Sequence, residues 1–261
     1  MKRYGIIGNP LGHSYSEQYF TDLFAREGLD AVYHPYAIER IEEAKEVLIK
    51  LDGANVTYPY KEAIIPYLTA VDEVAQSIGA INVVHKGKGY NTDWIGFRDS
   101  ISPLLRPTDQ RALLLGSGGV SKAIQYALQE MGIAFTVVSR MKGNGRPSSY
   151  GMIDAALKGN GERRKVIGYE EVNEEVITGH QIVVNCTPLG MHPYEKEKPK
   201  IPYEWLTESH LLYDCIYNPG KTLFLQMGEK QGCRIKNGLE MLLKQADEAW
   251  RIFGGVMSDK R

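Results

Sequence analysis

The chain has 261 residues, enough for one large domain or two modest ones. Basic and acidic side chains nearly cancel, 31 against 32, so bulk charge favours neither nucleic acid nor an anionic membrane as partner. Apolar residues make up 43%, as in soluble globular proteins, yet no apolar run nears the roughly 18–20 residues that span a bilayer.

The N-terminal "MKRYGIIGNP" lacks the long apolar region and small-residue cleavage site of a signal peptide. "RYGIIG" (3–8) reads as a strand, and "SEQYFTDLFAREG" (16–28) as a helix closed by Gly28. "AVYHPYAI" (31–38) is a second strand, which Pro35 places at an edge or interrupts. "RIEEAKEVLIKL" (40–51) has the spacing of an amphipathic helix. "GANVTYPYKE" (53–62) follows, a short strand ended by Pro59. A helix is expected through "EAIIPYLTAVDEVAQSIG" (62–79), then a hairpin over 80–91 turning at "KGKG".

The two prolines of "ISPLLRPTDQ" mark a boundary. "RALLLGSGGVSKAIQYALQEMG" (111–132) is strand, glycine turn, helix, and "AFTVVSR" (134–140), "QIVVNCTPLGM" (181–191) and "LLYDCIY" (211–217) are further strands. Residues 142–171 hold two Gly-Asn-Gly triplets and read as a surface insertion; its basic run Arg163, Arg164 and Lys165 could instead touch an anionic ligand. A long periodic helix (238–255) closes the chain and is expected to return to the first domain. The expectation is α/β with two domains: a discontinuous α/β substrate domain (1–100 plus 239–261), and a Rossmann-like, doubly wound dinucleotide-binding domain (101–238).

The nucleotide signal is Gly116-x-Gly118-Gly119 between strand and helix, with Ser121 where a strict motif has its third glycine. Gly116, Ser117, Gly118, Gly119 and Val120 would hold pyrophosphate on backbone N–H groups at a helix start; an ordinary βα turn is the bland alternative. The next strand ends in Ser139, Arg140 and Lys142, with no acidic residue for a ribose. A guanidinium there suits a 2′-phosphate, favouring NADP(H) over NAD; a solvent-facing basic turn is the other reading.

The first domain carries a polar set. Ser14 and Ser16, two apart in "GNPLGHSYS", would present two hydroxyls from an extended turn to a carboxylate, or else cap the next helix. Asn55, Thr57 and Lys61 gather at one strand end, and "GAINVV" and "GYNTDWIGF" bring Asn82 and Asp93. Three widely spaced cysteines (Cys186, Cys215, Cys233) fit reduced thiols in a cytoplasm, and six scattered histidines offer no metal-ligand pair.

In this order, "GNPLGHSYS", "NVTYPYKE", "GAIN", "YNTDWIGF", "LGSGGVSKA", "SR", "NCTPLGM", "DCIYNPGKT" and "NGLEMLLKQA" resemble the shikimate dehydrogenase family across nearly the whole chain. The departures are Glu17 for a usual proline, Val83 for threonine, and Ser139 and Met141 in place of the flanking residues of "NRT". The resemblance implies NADPH reduction of 3-dehydroshikimate to shikimate in aromatic amino-acid biosynthesis, by a cytoplasmic enzyme, monomer or homodimer, with no metal. It implies a catalytic pair, Lys61 and Asp93. It also implies substrate contacts from Ser14, Ser16, Asn55, Thr57, Lys61, Asn82, Asp93, Tyr217 and Gln245. Thr187, Cys215 and Gly238 would line the nicotinamide side, and Glu73 would lie near the cofactor or simply be an exposed helix charge. Competing readings are a quinate/shikimate dehydrogenase, which should carry an acid after "TVVS", and a silent sensor, which should lack Lys61 or Asp93. A folate-type dehydrogenase should lack the paired serines.

Overall fold

The computed structural model describes residues 1–11, 15–140 and 165–255. The chain divides into two compact units, Met1–Asp93 with Gln245–Arg261, and Trp94–Lys244. These changes of unit fall at 93/94 and 244/245, against the expected 100/101 and 238/239.

The described strands of the first unit are β1 (Lys2–Gly8), β2 (Ala31–Ala37), β3 (Gly53–Val56), β4 (Ala70–Val71), β5 (Val83–His85) and β6 (Lys88–Tyr90). Their order is β2-β1-β3-β5-β6-β4. β2 and β3 run parallel to β1, while β5 is antiparallel to both β3 and β6. Pro35 sits in β2, an edge strand that tolerates a missing N–H. The β5–β6 hairpin turns at Lys86 and Gly87, both at positive φ, as a two-residue hairpin of right-handed twist requires.

Alternation sorts the side chains of this sheet. Tyr4 and Ile6 join one core with Phe20, Phe24 and Tyr33. Ala246, Ala249 and Trp250 of the last helix, α8 (Leu239–Ile252), and Phe253 just past its end bury in the same core at helical spacing. Ile7, Ala54 and Val56 face the other core, with Ala44, Ile64 and Ala75. Burying a side chain as large as Phe253 is worth roughly 1.5–3 kcal/mol.

Two expected helices are shorter than the pattern suggested. Residues 41–48 form a 3₁₀ turn and then α2 (Ala44–Leu48). The stretch 62–79 is broken: a 3₁₀ turn at Ile65–Tyr67 contains Pro66, β4 pairs with β6, and only α3 (Glu73–Ile78) is helical. Proline removes an N–H from the helix ladder, and Asp72 restarts it by accepting from Val74 N at 3.2 Å.

The second unit has a parallel sheet of β7 (Arg111–Leu115), β8 (Ala134–Val138), β9 (Lys165–Ile167), β10 (Ile182–Asn185), β11 (Leu211–Asp214) and β12 (Arg234–Lys236). Its order, β12-β11-β10-β7-β8-β9, reverses between β7 and β10. That is the doubly wound order in which ligands bind beyond the carboxyl ends of the strands at the reversal. Ala112, Leu114, Val137, Ile182, Val184 and Tyr213 pack with Phe97 and Ile101 of α4 (Asp93–Ile101) and Ile124 of α5 (Gly119–Glu130). Leu113, Leu115, Val183 and Leu212 face α6 (Glu174–Thr178) and α7 (Leu223–Lys230). β9 lies within the expected insertion; the rest of that segment to residue 164 is outside the described residues.

Candidate active site

In the first unit, β3 lies between β1 and β5 and projects Asn55 onto the face shared with Tyr33 and α8. Thr57 is two residues on, just past the strand, where its N–H still bonds Ile7 O at 2.9 Å. The chain then turns through Tyr60, whose buried hydroxyl donates to Ile38 O at 2.7 Å. Lys61 is next, its carbonyl taken by Ile81 N at 2.7 Å. These bonds fix the turn and aim the ammonium.

Lys61 Nζ donates to Asp93 Oδ2 at 2.7 Å, with the two side chains 19% and 7% exposed. An ion pair this buried depends on further hydrogen bonds to offset desolvation. Asp93 has them: Asn82 Nδ2 donates to its Oδ1 at 2.9 Å, and its own N–H, opening α4, bonds Asn91 Oδ1 at 3.0 Å. Asn91 is in turn anchored on Ala80 O at 2.8 Å.

Asn82 is the hub. Its Oδ1 accepts from Thr92 N at 2.7 Å, so its Nδ2 must face Asp93. That Nδ2 also reaches Thr92 Oγ1 at 2.9 Å and Gln245 Oε1 at 3.2 Å. Thr92 Oγ1 donates to Gln245 O at 3.0 Å, tying the α4 entrance to α8. Tyr33 OH donates to Asn55 Oδ1 at 2.8 Å, so the Asn55 amide presents its NH₂; Asn82 O is 3.5 Å away from it.

The structure therefore gathers Lys61, Asp93, Asn82 and Gln245 in one network, with Asn55 beside it through Asn82 O. Ser16 is buried, but inside α1 (Tyr15–Arg26) rather than in the expected extended turn. The helix begins one residue earlier than the pattern suggested. Ser14 lies outside the described residues. Glu73 stands exposed in the first turn of α3, where its charge suits the helix dipole. Tyr33, Asn91 and Thr92 are the residues that sequence reasoning missed. The available signal was Asn91 two before Asp93, the spacing of an Asn side chain that bonds a backbone N–H two residues on.

In the second unit, β7, β10 and β11 end in register at Leu115, Asn185 and Asp214. Gly116 follows β7 at φ +110°, and a Cβ there would sit 3.1 Å from Thr187 Cγ2. Gly118 caps α5 without a side-chain bond, and among the described residues nothing lies within 4 Å of where its Cβ would be. No acidic residue lies in the first turn of α5, which begins with Gly119 and Val120. Among the described residues, helix-start N–H groups that lack an intrahelical acceptor and a first turn without an acidic side chain fit a pyrophosphate. Ser117 and Ser139 hydroxyls meet at 3.0 Å, and Arg140 follows, exposed. Lys142 lies outside the described residues.

Thr187 donates to Asn185 Oδ1 from N at 3.0 Å and from Oγ1 at 2.6 Å. Cys215 N bonds Asn185 O at 3.1 Å. Gly238 N bonds Ile216 O at 3.0 Å, and its place admits no side chain because a Cβ would lie 2.2 Å from Cys215 O. Tyr217 is half-buried just beyond. Asn185 and Asp214 are both fully buried, a pair the sequence reading passed over. Burial pushes the Asp214 carboxyl up to about 6, against the bonds from Thr222, Ile216 and Asn185 that favour its charge. Among the described residues, no cluster of three metal-ligating side chains occurs and no helix is long and apolar enough to cross a membrane.

Residues 6–84 match the family model of the shikimate dehydrogenase substrate binding domain. A relative from Methanosphaera stadtmanae, named shikimate dehydrogenase (NADP(+)), is 34% identical over 96% of this chain and 90% of its own length. The solved shikimate dehydrogenase of Aquifex aeolicus is 33% identical with a TM-score of 0.82, covering 98% of this chain and 94% of that one. The Thermus thermophilus enzyme, solved in complex with NADP(H) and shikimate, is 28% identical with a TM-score of 0.83, covering 99% and 95%. With relatives this similar along almost its full length, the chain belongs to the shikimate dehydrogenase family.

Proposed function

We propose that this chain is an NADP-dependent shikimate dehydrogenase, reducing 3-dehydroshikimate reversibly to shikimate. The observation that carries this reading is the buried Lys61–Asp93 pair, 2.7 Å apart and braced by Asn82, in a chain whose relatives bear that name. When bound, NADPH supplies the hydride that the C3 carbonyl carbon receives. Negative charge then grows on the carbonyl oxygen, and Lys61 meets it with a positive charge and a proton. Asp93 orients the ammonium through the 2.7 Å contact. In the reverse direction the pair takes up the hydroxyl proton.

Asn55, Thr57, Gln245, Ser14, Ser16 and Tyr217 hold the ring hydroxyls and carboxylate. The NH₂ of Asn55, set by Tyr33, suits a hydroxyl oxygen. Asn82 contributes mainly by holding Asp93, since its amide is shared among three protein acceptors. Gly116 to Val120 hold the pyrophosphate, Ser139, Arg140 and Lys142 the adenosine phosphate, and Thr187, Cys215 and Gly238 the nicotinamide side; Glu73 has the weakest claim to a cofactor role. The enzyme works in the cytoplasm as a monomer or homodimer, on small molecules and without nucleic acid or metal.

Initial rates with shikimate and quinate against NADP⁺ and NAD⁺ test the reading. Shikimate with NADP⁺ should be the fastest pair by at least an order of magnitude. Preference for quinate or for NAD⁺ would replace it with a broader dehydrogenase, and no turnover with any pair would favour a silent binder.

A further inference from the structure

We propose that Asp214, acting through Asn185 and Thr222, is a positioning residue for the nicotinamide side of the cofactor site. This rests on the functional reading above. Asp214 ends β11 and Asn185 ends β10, directly paired in register. Asp214 Oδ1 accepts from Asn185 Nδ2 and from Ile216 N, both at 3.0 Å. Its Oδ2 accepts from Thr222 Oγ1 at 2.5 Å.

Each partner controls one stretch of chain. Asn185 holds the loop that carries Thr187, accepting from Thr187 and donating to Leu189 O at 3.1 Å. The Ile216 N–H fixes the turn just after Cys215. Thr222 caps α7 and meets the first loop again, since a Cβ on Gly190 would lie 3.0 Å from it. One carboxylate thus closes a circuit through both loops at the end of the sheet beside the strand-order reversal.

The groups acting on Asp214 are these three donors, with no lysine or arginine among them. The titratable groups that feel it are Tyr203 and Tyr213, phenols pushed upward by burial and by its charge. All three partners donate, so only an ionised carboxylate satisfies them together. Protonation would force the Thr222 hydroxyl to turn and accept.

The test is NADPH affinity of the whole chain, read by fluorescence titration from pH 5.5 to 7.5, with kcat and KM alongside. Asp214→Asn should raise the NADPH Kd about tenfold at pH 7.5, the scale of one buried hydrogen bond lost. The KM for 3-dehydroshikimate should stay within about twofold while the KM for NADPH follows the Kd. Wild-type affinity should fall as pH drops through about 6, and the variant should lack that part of the fall. The cofactor 2′-phosphate titrates in the same range in both proteins, so the ratio of the two Kd values is what is read. An equal Kd at pH 7.5, or a ratio constant with pH, overturns the proposal. Thr222→Val provides a second route if Asp214→Asn does not fold: losing that hydroxyl should move the acid limb to higher pH, and an unmoved limb overturns the proposal. A chain that binds NADPH in this manner yet does not reduce 3-dehydroshikimate would sink the proposed function and bear out the positioning role.

Discussion

Asn82→Ala is the substitution that probes the Lys61–Asp93 site most severely without touching either partner. The side chain is 3% exposed and makes four bonds. Its loss strands Thr92 N, whose acceptor was 2.7 Å away, and removes the 2.9 Å donor from Asp93 Oδ1. The Thr92 hydroxyl still donates to Gln245 O at 3.0 Å, with Gln245 Oε1 a more distant acceptor for the same hydrogen at 3.5 Å, so the hydroxyl is not stranded. A stranded neutral donor costs about 1–3 kcal/mol and a lost bond to a charged group about 1.5–3, so the sum is about 2.5–6 kcal/mol. Turnover should also fall, by roughly 100-fold, because Asp93 no longer holds Lys61 at one angle. Urea unfolding followed by circular dichroism at pH 7.5 reads the first figure and initial rates the second. A loss under 1 kcal/mol with kcat within threefold of wild type would refute the bracing argument.

Three further expectations follow from the same geometry. Tyr33→Phe removes the donor to Asn55 Oδ1 and frees that amide to rotate; the KM for 3-dehydroshikimate should rise about tenfold with little change in kcat, and an unchanged KM would detach Tyr33 from the site. Gly116→Ala places a methyl group against Thr187 at φ +110°, a strain of about 1–3 kcal/mol, so NADPH affinity should fall at least tenfold by titration, and wild-type affinity would contradict the cradle. The Asp214 carboxyl is raised from 3.8 to about 6 in the folded chain, which therefore binds that proton more tightly than the unfolded chain does. Its contribution to stability is complete below pH 3.8 and is lost as pH rises through about 6, a change of about 3 kcal/mol. The stability of wild type relative to Asp214→Asn should fall by that amount between pH 3 and 7.5, and a flat difference would contradict it.

That last sign gives the buried carboxylate its meaning. The charge costs stability at neutral pH, the pattern expected if the carboxylate has the positioning role proposed above.

The sequence carried the fold wherever local pattern and tertiary partner agree. "RYGIIG" alternates because Tyr4 and Ile6 face one core and Ile7 the other. The glycine turn after β7 is readable because few other residues accept the backbone at Gly116. Other elements were illegible for physical reasons. β4, β9 and β12 are two or three residues long, too short for any periodicity, and exist because a neighbouring strand offers its ladder. The apolar spacing of 62–79 suggested one helix, but pairing with β6 overrides it around Ala70. Within the site, Lys61 and Asp93 were legible through the family motifs. Tyr33 was not, because its meeting with Asn55 depends on β2 and β3 flanking β1. Asn185 and Asp214 end strongly apolar runs, "IVVN" and "LLYD", and a polar residue closing a buried strand was the signal available for both.

The central claim is that Lys61, held by Asp93, carries the proton that accompanies hydride transfer. Its most direct test is Lys61→Ala, with kcat measured for NADPH reduction of 3-dehydroshikimate and shikimate affinity measured separately by titration. The account predicts a fall in kcat of about 10²–10⁴-fold, the range of general acid catalysis, while shikimate Kd changes less than tenfold. A folded Lys61→Ala chain that turns over at the wild-type rate would contradict it.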